Sequence, residues 1–261
     1  MSTATIHPTA IIGPRTELGE NVTVGPYAII EGDVFIDSGT QIGAHVYIDH
    51  YTRIGKNCRI SPFAALGTPP QDKKYKGEKT EVIIGDENVI REYVTVHRGT
   101  VDGRGKTQIG NQNMLMAYCH VAHDCQLGNG VVMANVATLA GHVTIGDFVT
   151  IYGLAAIQQF VRVGAYSMLG GKSAVVQDIP PYVIAAGDRA KLFGLNIIGL
   201  KRHDFSNEVI AALKKAYQIV IRSHLTIQEA IIRVEKEVPS FPELTNFLEF
   251  IKTSQRGVPR R

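Results

Sequence analysis

Aliphatic residues recur at every sixth position through most of this 261-residue chain. The first run has eleven members: Ile6, Ile12, Leu18, Val24, Ile30, Ile36, Ile42, Ile48, Ile54, Ile60 and Leu66. The spacing is then interrupted and resumes at Ile84, Ile90 and Val96. After a second interruption it continues through Ile109, Leu115, Val121, Leu127, Met133, Leu139, Ile145, Ile151, Ile157, Val163, Leu169 and Val175. Runs of this length at one spacing mark an internal repeat.

A period of six excludes an amphipathic helix, whose apolar positions follow a period of 3.6 residues. It is typical of a short strand that ends in a bend. The aliphatic residue of each unit points inward, and a glycine after it, as at Gly13 or Gly55, is interpreted as relaxing the bend. Three units make a triangular coil of 18 residues, and successive coils stack as parallel strands about 4.8 Å apart. We therefore predict a β protein whose residues 1–188 form a parallel β-helix.

The two interruptions, near residues 68–82 and 98–108, are polar segments that contain glycine and lysine. In repeat proteins such insertions become loops on one side of the molecule, often the binding side. The alternative is surface decoration that the fold tolerates.

The repeat stops near Pro180, and helical signals follow, so residues 189–261 are predicted to form a C-terminal helical domain. Ser206 precedes a segment from Asn207 to about Arg222. The sequences Thr226 to Glu229 and Ser240 to Glu243 have the form of capping boxes that begin two further helices. This domain is expected to cover the last coil, whose open β edge would otherwise promote aggregation.

The formal net charge of +3 gives no reason to expect a nucleic-acid partner. Basic residues near the C-terminus indicate either solvated helix faces or a docking patch for an acidic partner. The three cysteines lack CxxC spacing, so we expect no disulfide. The N-terminus has no signal-peptide pattern, and no apolar stretch approaches the roughly 18 residues of a membrane helix. We expect a soluble cytoplasmic protein without stable membrane insertion.

Residues 18 positions apart should lie directly above one another. His123, Gly141 and Gln159 then form one column, with steps of roughly 5 Å. His120, Thr138 and Ala156 form a neighbouring column. Asp124 lies below His142.

This arrangement suits general-base chemistry beside an oxyanion-binding amide. His123 can act as a general base near neutral pH, particularly if the Asp124 carboxylate orients it. The Gly141 N–H can approach an oxyanion because no side chain stands in the way. A lone histidine is more often structural, but His97, His120, His123 and His142 fall near one stretch of the prism. A thiolate enzyme that uses Cys119 or Cys125 is a weaker alternative.

The chain resembles the UDP-N-acetylglucosamine O-acyltransferase family over essentially its whole length. The resemblance is carried by His120-Val-Ala-His123-Asp124-Cys125, by Asn135 through Thr138-Leu-Ala-Gly141-His142, by Pro70-Gln71-Asp72-Lys73-Lys74-Tyr75, by Pro180-Pro-Tyr-Val-Ile-Ala185, and by Phe193-Gly-Leu-Asn196 with Gly199-Leu-Lys201-Arg202. It implies that the β-helix is left-handed, which spacing cannot reveal. It also implies the first step of lipid A biosynthesis, in which acyl carrier protein gives up an (R)-3-hydroxyacyl chain to the 3-position of UDP-N-acetylglucosamine.

The resemblance further implies a homotrimer with active sites between adjacent prisms and no cofactor. His123 would be the base, Asp124 its orienting partner, and Gly141 the oxyanion donor. The residues that would bind substrates are Gln71, Asp72, Lys74, His97, His120, His142, Gln159, Asn196 and Arg202. Gly171 matches a position that limits acyl length, and glycine there leaves room for a longer chain.

Three positions depart from the family pattern. Gln158 replaces a histidine, Ile198 replaces a glutamate, and His203 replaces an arginine, which affects the expected donor and nucleotide contacts. Some relatives acylate a 3-amino sugar. Two rival functions are a γ-type carbonic anhydrase, with zinc held by His120, His123 and His142, and a non-catalytic scaffold. The sister N-acyltransferase of the same pathway has an extra N-terminal domain, whereas the repeats here begin at Ile6, so we do not expect this chain to be that enzyme.

Overall fold

Short strands follow one another along the chain from Thr5 to Leu195, and a computed structural model describes residues 3–260. In chain order, β1 to β9 are Thr5–Ile6, Ile11–Ile12, Glu17–Leu18, Thr23–Val24, Ile29–Ile30, Phe35–Ile36, Gln41–Ile42, Tyr47–Ile48 and Thr52–Ile54. Strands β10 to β18 are Arg59–Ile60, Ala65–Thr68, Glu81–Ile84, Val89–Ile90, Thr95–His97, Lys106–Ile109, Met114–Leu115, His120–Val121 and Gln126–Leu127. Strands β19 to β28 are Val132–Met133, Thr138–Leu139, Thr144–Ile145, Thr150–Ile151, Ala156–Ile157, Arg162–Val163, Met168–Leu169, Ala174–Val175, Val183–Ala186 and Lys191–Leu195.

Every third strand joins the same sheet, so the chain winds around a triangular prism. The first sheet has eleven strands and runs from β1 through β25 to β27 and β28; the second has nine, from β2 to β26; the third has eight, from β3 to β24. All pairings are parallel except that between β27 and β28. The prism is left-handed. The predicted fold class is confirmed. We call the turns that follow the strands of each sheet the first, second and third corners.

The six-residue pattern produces the core. All of the recurring aliphatic residues are buried except the first three, Ile6, Ile12 and Leu18. A second inward position lies two residues before each of them and holds small side chains such as Val22, Ala137 and Ser167. All three cysteines occupy this second position, where they are buried and free of disulfide bonds, as predicted.

The bends differ from the prediction in their use of glycine. The backbone turns through a positive φ three residues after the aliphatic position, and most residues there are not glycine, for example Tyr27 and Phe148. The glycine directly after the aliphatic residue serves close stacking instead. A Cβ on Gly13 would lie 2.5 Å from the nitrogen of Gly32 in the next coil. Glycine is therefore used there for close approach between coils rather than for the bend.

Both interruptions leave the prism at the second corner. Residues 69–80 connect β11 of the second sheet to β12, and residues 98–105 connect β14 of the same sheet to β15. The extra length appears in the pairing between coils. Ala65 pairs with Thr95 and Thr95 with His120, so both coils are longer than the regular 18-residue coil in which His120 pairs with Thr138. Two excursions thus meet along a single edge of the prism.

The C-terminal part comprises the β27–β28 hairpin, α1 (Ile197–Arg202), α2 (Asn207–Tyr217), a π-helical turn (Gln218–Arg222), α3 (Ile227–Glu237) and α4 (Pro242–Lys252). The segment predicted from Asn207 to about Arg222 is helical, with its last turn in the π form. The turn between β27 and β28 contains residues 187–190, so the strand Lys191–Leu195 follows the point at which the helical domain was predicted to begin.

All three predicted helices are present, and two of their predicted N-terminal caps are confirmed. Ser206 caps α2, and Thr226 forms a capping box with Glu229 at α3. The box predicted at Ser240 and Glu243 is wrong. Helix α4 begins at Pro242, whose fixed φ suits the first helical turn, and its N-cap Phe241 makes no side-chain cap.

The C-terminal segment covers the last coil, as predicted. The Arg162 guanidinium lies 4.5 Å from the ring centroid of Phe250 and donates to the Phe250 carbonyl at 3.0 Å. The Asp178 N–H donates to the Gly257 carbonyl at 3.0 Å, and the Ser254 hydroxyl donates to the Asp178 carboxylate at 2.9 Å. These bonds satisfy polar groups at the end of the prism.

Candidate active site

A histidine–aspartate pair lies at the second corner. His123 and Asp124 follow β17, and Asp124 takes the left-handed conformation of the bend, with φ of 60°. The His123 Nδ1–H donates to Asp124 Oδ2 at 2.9 Å. The Asp124 side chain is fully buried, whereas 15% of the His123 side chain is exposed. The pair therefore presents an imidazole to solvent and keeps its carboxylate inside the protein.

The second excursion surrounds the Asp124 carboxylate. The Thr100 N–H lies 3.1 Å from both of its oxygens, the Thr100 hydroxyl donates at 2.7 Å, and the Arg104 N–H donates at 2.7 Å. Burial by itself would raise the pKa of Asp124. The hydrogen bonds from His123, Thr100 and Arg104 outweigh burial and lower the pKa to about 2. Asp124 is consequently ionised at neutral pH, although no Lys or Arg side chain within residues 3–260 donates to its carboxylate.

Gly141 lies directly against the His123 ring, as the predicted column requires. A Cβ on Gly141 would lie 2.6 Å from both Cε1 and Nε2 of His123, so no larger residue fits without displacing the ring. The His142 N–H donates to the His123 carbonyl at 2.9 Å, which fixes the two coils in register. Within residues 3–260, no acceptor bonds to the Gly141 N–H. An amide that is unpaired within the described residues thus lies beside the imidazole.

His142 occupies the next left-handed position above Asp124, with φ of 63°. Its ring stacks on Phe160 at 4.4 Å between centroids and meets the His123 ring edge-on at 5.0 Å. Its Nε2 is 3.9 Å from Asp124 Oδ2. Burial lowers the pKa of His142, and the Asp124 charge partly opposes this effect. The predicted placement of Asp124 under His142 is confirmed.

His97 and His120 form a second histidine pair on the second sheet. Their rings meet edge-on at 4.7 Å, and His120 Nδ1 is 2.7 Å from the Thr95 hydroxyl. Burial, with the neighbouring His120 and His123, lowers the pKa of His97 to about 4. Burial also lowers the pKa of His120, with a further contribution from His123. Both imidazoles are therefore neutral near pH 7, and within the described chain His97 Nδ1 has no hydrogen-bond partner.

The first excursion carries three of the predicted substrate-binding residues. Asp72 Oδ1 accepts from the Lys74 N–H at 2.9 Å, which closes a local turn. The charge of Asp72 acts on His142 and favours its protonated form. The side chains of Gln71 and Lys74 are exposed. The charge of Asp72 thus influences His142 across the second corner.

The remaining predicted residues are spread over different corners. Gln159 is exposed and follows β23 in register with Gly141, at the second corner. Asn196 lies beyond the third corner, where its Oδ1 accepts from the Gly199 N–H to cap α1 and its Nδ2 donates to the Tyr166 carbonyl. Arg202 is exposed at the end of α1. Gly171 lies at the first corner, where a Cβ would lie 3.3 Å from the Gly153 carbonyl oxygen and 3.9 Å from the Cβ of Tyr152.

Among residues 3–260, one group of donor atoms is close enough to hold a metal ion. Atoms of His123, Asp124 and His142 all lie within 4.8 Å of one another. The zinc alternative considered from the sequence used His120 in place of Asp124. His120 instead lies on β17 and is bonded to Thr95. Asp124 Oδ2 already accepts from His123 and from Thr100, so a metal ion would have to displace these bonds.

Thr100 and Arg104 were not identified from the sequence. Their contact with Asp124 depends on how an irregular loop returns to the prism, and only the interruption of the repeat at 98–108 pointed to them.

The cysteines are less reactive than a thiolate mechanism requires, because burial raises the pKa of Cys119 to about 11 and that of Cys125 to about 12.

A groove of about 420 Å³ runs beside His142 towards the C-terminal segment. Its lining includes Arg104, Phe160 and Arg162.

Among residues 3–260, no helix is long and apolar enough to cross a membrane.

Comparison with known proteins gives consistent results over the whole chain. Residues 178–259 match the family model described as UDP N-acetylglucosamine O-acyltransferase, domain 2, and residues 106–141 match the bacterial transferase hexapeptide model. An acyl-(acyl-carrier-protein)–UDP-N-acetylglucosamine O-acyltransferase of Thermodesulfovibrio yellowstonii is 56% identical over 98% of this chain and 99% of its own length. The crystal structure of a UDP-N-acetylglucosamine acyltransferase from Bacteroides fragilis has a TM-score of 0.95 at 42% identity, covering 97% of this chain and 99% of its own. The structure of the corresponding protein from Acinetobacter baumannii has a TM-score of 0.95 at 43% sequence identity. The match covers 98% of this chain and 99% of that one.

Proposed function

The chain belongs to the UDP-N-acetylglucosamine O-acyltransferase family, and from this we propose how its second corner carries out the reaction. The enzyme transfers an acyl chain from acyl carrier protein to UDP-N-acetylglucosamine, the first step of lipid A biosynthesis. His123 is the general base, Asp124 orients it, and Gly141 stabilises the oxyanion. The observation that carries this proposal is the His123–Asp124 hydrogen bond beside an unpaired Gly141 amide.

The proposed mechanism has two steps. Because Nδ1–H is held by Asp124, His123 Nε2 carries the free lone pair, which takes the proton of the acceptor hydroxyl. The acceptor oxygen attacks the thioester carbonyl and gives a tetrahedral oxyanion, which accepts a hydrogen bond from the Gly141 N–H. The intermediate then collapses: its C–S bond breaks, the protonated His123 returns its proton to the leaving thiolate, and the ester remains on the sugar. This chemistry needs no metal or other cofactor.

The central test is His123→Ala with His7→Ala as its control, since His7 is exposed at the other end of the prism. We expect turnover to fall about 10²–10⁴-fold, the usual contribution of a positioned general base. Folding should survive because the core residues are untouched. Near-normal turnover in His123→Ala would rule out the mechanism. A panel of hydroxyacyl carriers with 3-hydroxyl and 3-amino sugar nucleotides would identify the donor length and the acceptor atom.

We also propose that the active enzyme is a homotrimer whose sites lie between prisms. The support is geometric: His123 lies at the second corner, whereas Asn196 and Arg202 lie beyond the third and Gly171 lies at the first. Residues that act on the same substrates therefore have to come from neighbouring copies.

Mixed oligomers test this arrangement directly. If each site takes His123 from one copy and Arg202 from the next, random mixing of His123→Ala with Arg202→Ala restores about a quarter of the sites. A mixture no more active than its parents, or a monomer in analytical ultracentrifugation, would refute shared sites.

The binding roles of the other residues follow the family resemblance. We propose that Gln71, Asp72, Lys74, His97 and Gln159 bind the nucleotide sugar, that His120 and His142 contact the donor or the sugar, and that Asn196 and Arg202 contact the carrier's pantetheine or the nucleotide. Activity that persists after exhaustive chelation, together with metal analysis of the purified protein, would distinguish this enzyme from a zinc enzyme. We place it in the cytoplasm, which cell fractionation would test.

A further inference from the structure

We propose that Thr100, Gly103 and Arg104, all on the second excursion, are positioning residues that hold the Asp124 carboxylate and through it set the orientation of His123. This inference rests on the proposed function of His123. It gives the loop 98–105 the role of holding the catalytic pair in place. The first excursion, by contrast, is proposed to bind the nucleotide sugar.

Within residues 3–260, three of the four donors to the carboxylate come from this loop. The two N–H groups of Thr100 and Arg104 and the Thr100 hydroxyl all point at it, and His123 supplies the fourth donor. A fully buried carboxylate needs such partners, because an unpaired buried charge is strongly unfavourable. The loop is therefore what allows Asp124 to remain charged beneath His123.

The Arg104 guanidinium braces the loop without touching the carboxylate. Its Nη1 donates to the Asp124 backbone carbonyl at 2.7 Å, and its Nη2 donates to the Thr144 hydroxyl at 3.0 Å on the coil above. The loop is thus tied to two successive coils. Its backbone donors are held at the second corner, where Asp124 must keep its left-handed bend.

Gly103 explains how the loop comes so close. A Cβ on Gly103 would overlap the carboxyl group of Asp124. Its φ lies outside the range that favours glycine, so close approach to Asp124 is what requires the missing side chain. The absence of a side chain at Gly103 therefore lets the loop backbone lie directly against the carboxylate.

Thr100→Val is the main test, since it removes the hydroxyl donor but keeps the shape and the backbone donor. We expect kcat to fall about 10- to 10²-fold with the KM for the sugar nucleotide unchanged, because a small misplacement of a catalytic group affects the chemical step. Thr100→Ser restores the hydroxyl and should recover most of the activity. Val101→Ala is the matched control, because Val101 is 58% exposed on the same loop. Its kinetics should match the unaltered enzyme.

A second measurement follows the His123–Asp124 bond itself. In histidine-labelled protein, the nitrogen signal of His123 reports which ring nitrogen carries the proton. Thr100→Val should disturb this signal, and Thr100→Ser should not. Full kcat with an unchanged signal in Thr100→Val would overturn the proposal, as would a loss that Thr100→Ser fails to reverse. If His123→Ala kept its activity, the proposed function itself would fail, so the two failures are distinguishable.

Discussion

Adding a single methyl group at Gly141 is a sharp test of the geometry at the second corner. Gly141→Ala keeps the backbone N–H, so the proposed oxyanion donor is still present. The new Cβ would lie 2.6 Å from Cε1 and Nε2 of His123. Ordinary contacts begin near 3.4 Å. The ring must therefore retreat by roughly 0.8 Å, a displacement comparable with those that reduce rates substantially.

The magnitude follows from that displacement. The His123–Asp124 hydrogen bond is 2.9 Å long and has only a few tenths of an ångström to spare before it weakens. A base misplaced by about 1 Å costs on the order of 10²-fold in rate, which corresponds to about 2.7 kcal/mol in the activation free energy. We therefore expect kcat to fall about 10²-fold while thermal unfolding changes little, since the methyl group lies outside the apolar core.

The assay is a double-mutant cycle on kcat. If Gly141→Ala acts by moving His123, it should cause almost no further loss in protein that already carries His123→Ala. Independent, multiplicative losses would show that the methyl group acts elsewhere. A Gly141→Ala enzyme with unchanged kcat would refute the reasoning, because the ring would then have tolerated the overlap at no cost to catalysis.

Three further predictions concern other positions. Because folding lowers the pKa of Asp124, the ionised carboxylate stabilises the wild type by about 2 kcal/mol above pH 4, and this stability is lost as the pH falls towards 2. Asp124→Asn should lack this contribution, which urea unfolding across this pH range measures. The same titration should show the wild type losing up to about 3 kcal/mol between pH 6.5 and pH 4, because folding lowers the pKa of His97, and His97→Gln should lose less. Gly171→Met should shift the enzyme towards shorter acyl donors, because its side chain would project from the open first corner; an unchanged donor profile would exclude Gly171 as the length limit.

The sequence by itself determined the prism and the central column of the site. A strict six-residue period places side chains 18 positions apart in one column, so the meeting of His123 with Gly141 and of Asp124 with His142 was predictable. The reason is that parallel strands repeat at a fixed spacing and leave the chain no other register. The inward position of the cysteines follows the same period, because each lies two residues before an aliphatic position.

Only the tertiary structure decided what happens where the period fails. The return of Thr100 and Gly103 to Asp124 depends on the path of an irregular loop, which no local spacing encodes. The separation of Asn196 from His123 likewise depends on how the C-terminal helices pack on the third corner. Such contacts arise from non-local packing of groups far apart in the chain, and therefore appear only when the whole fold is present.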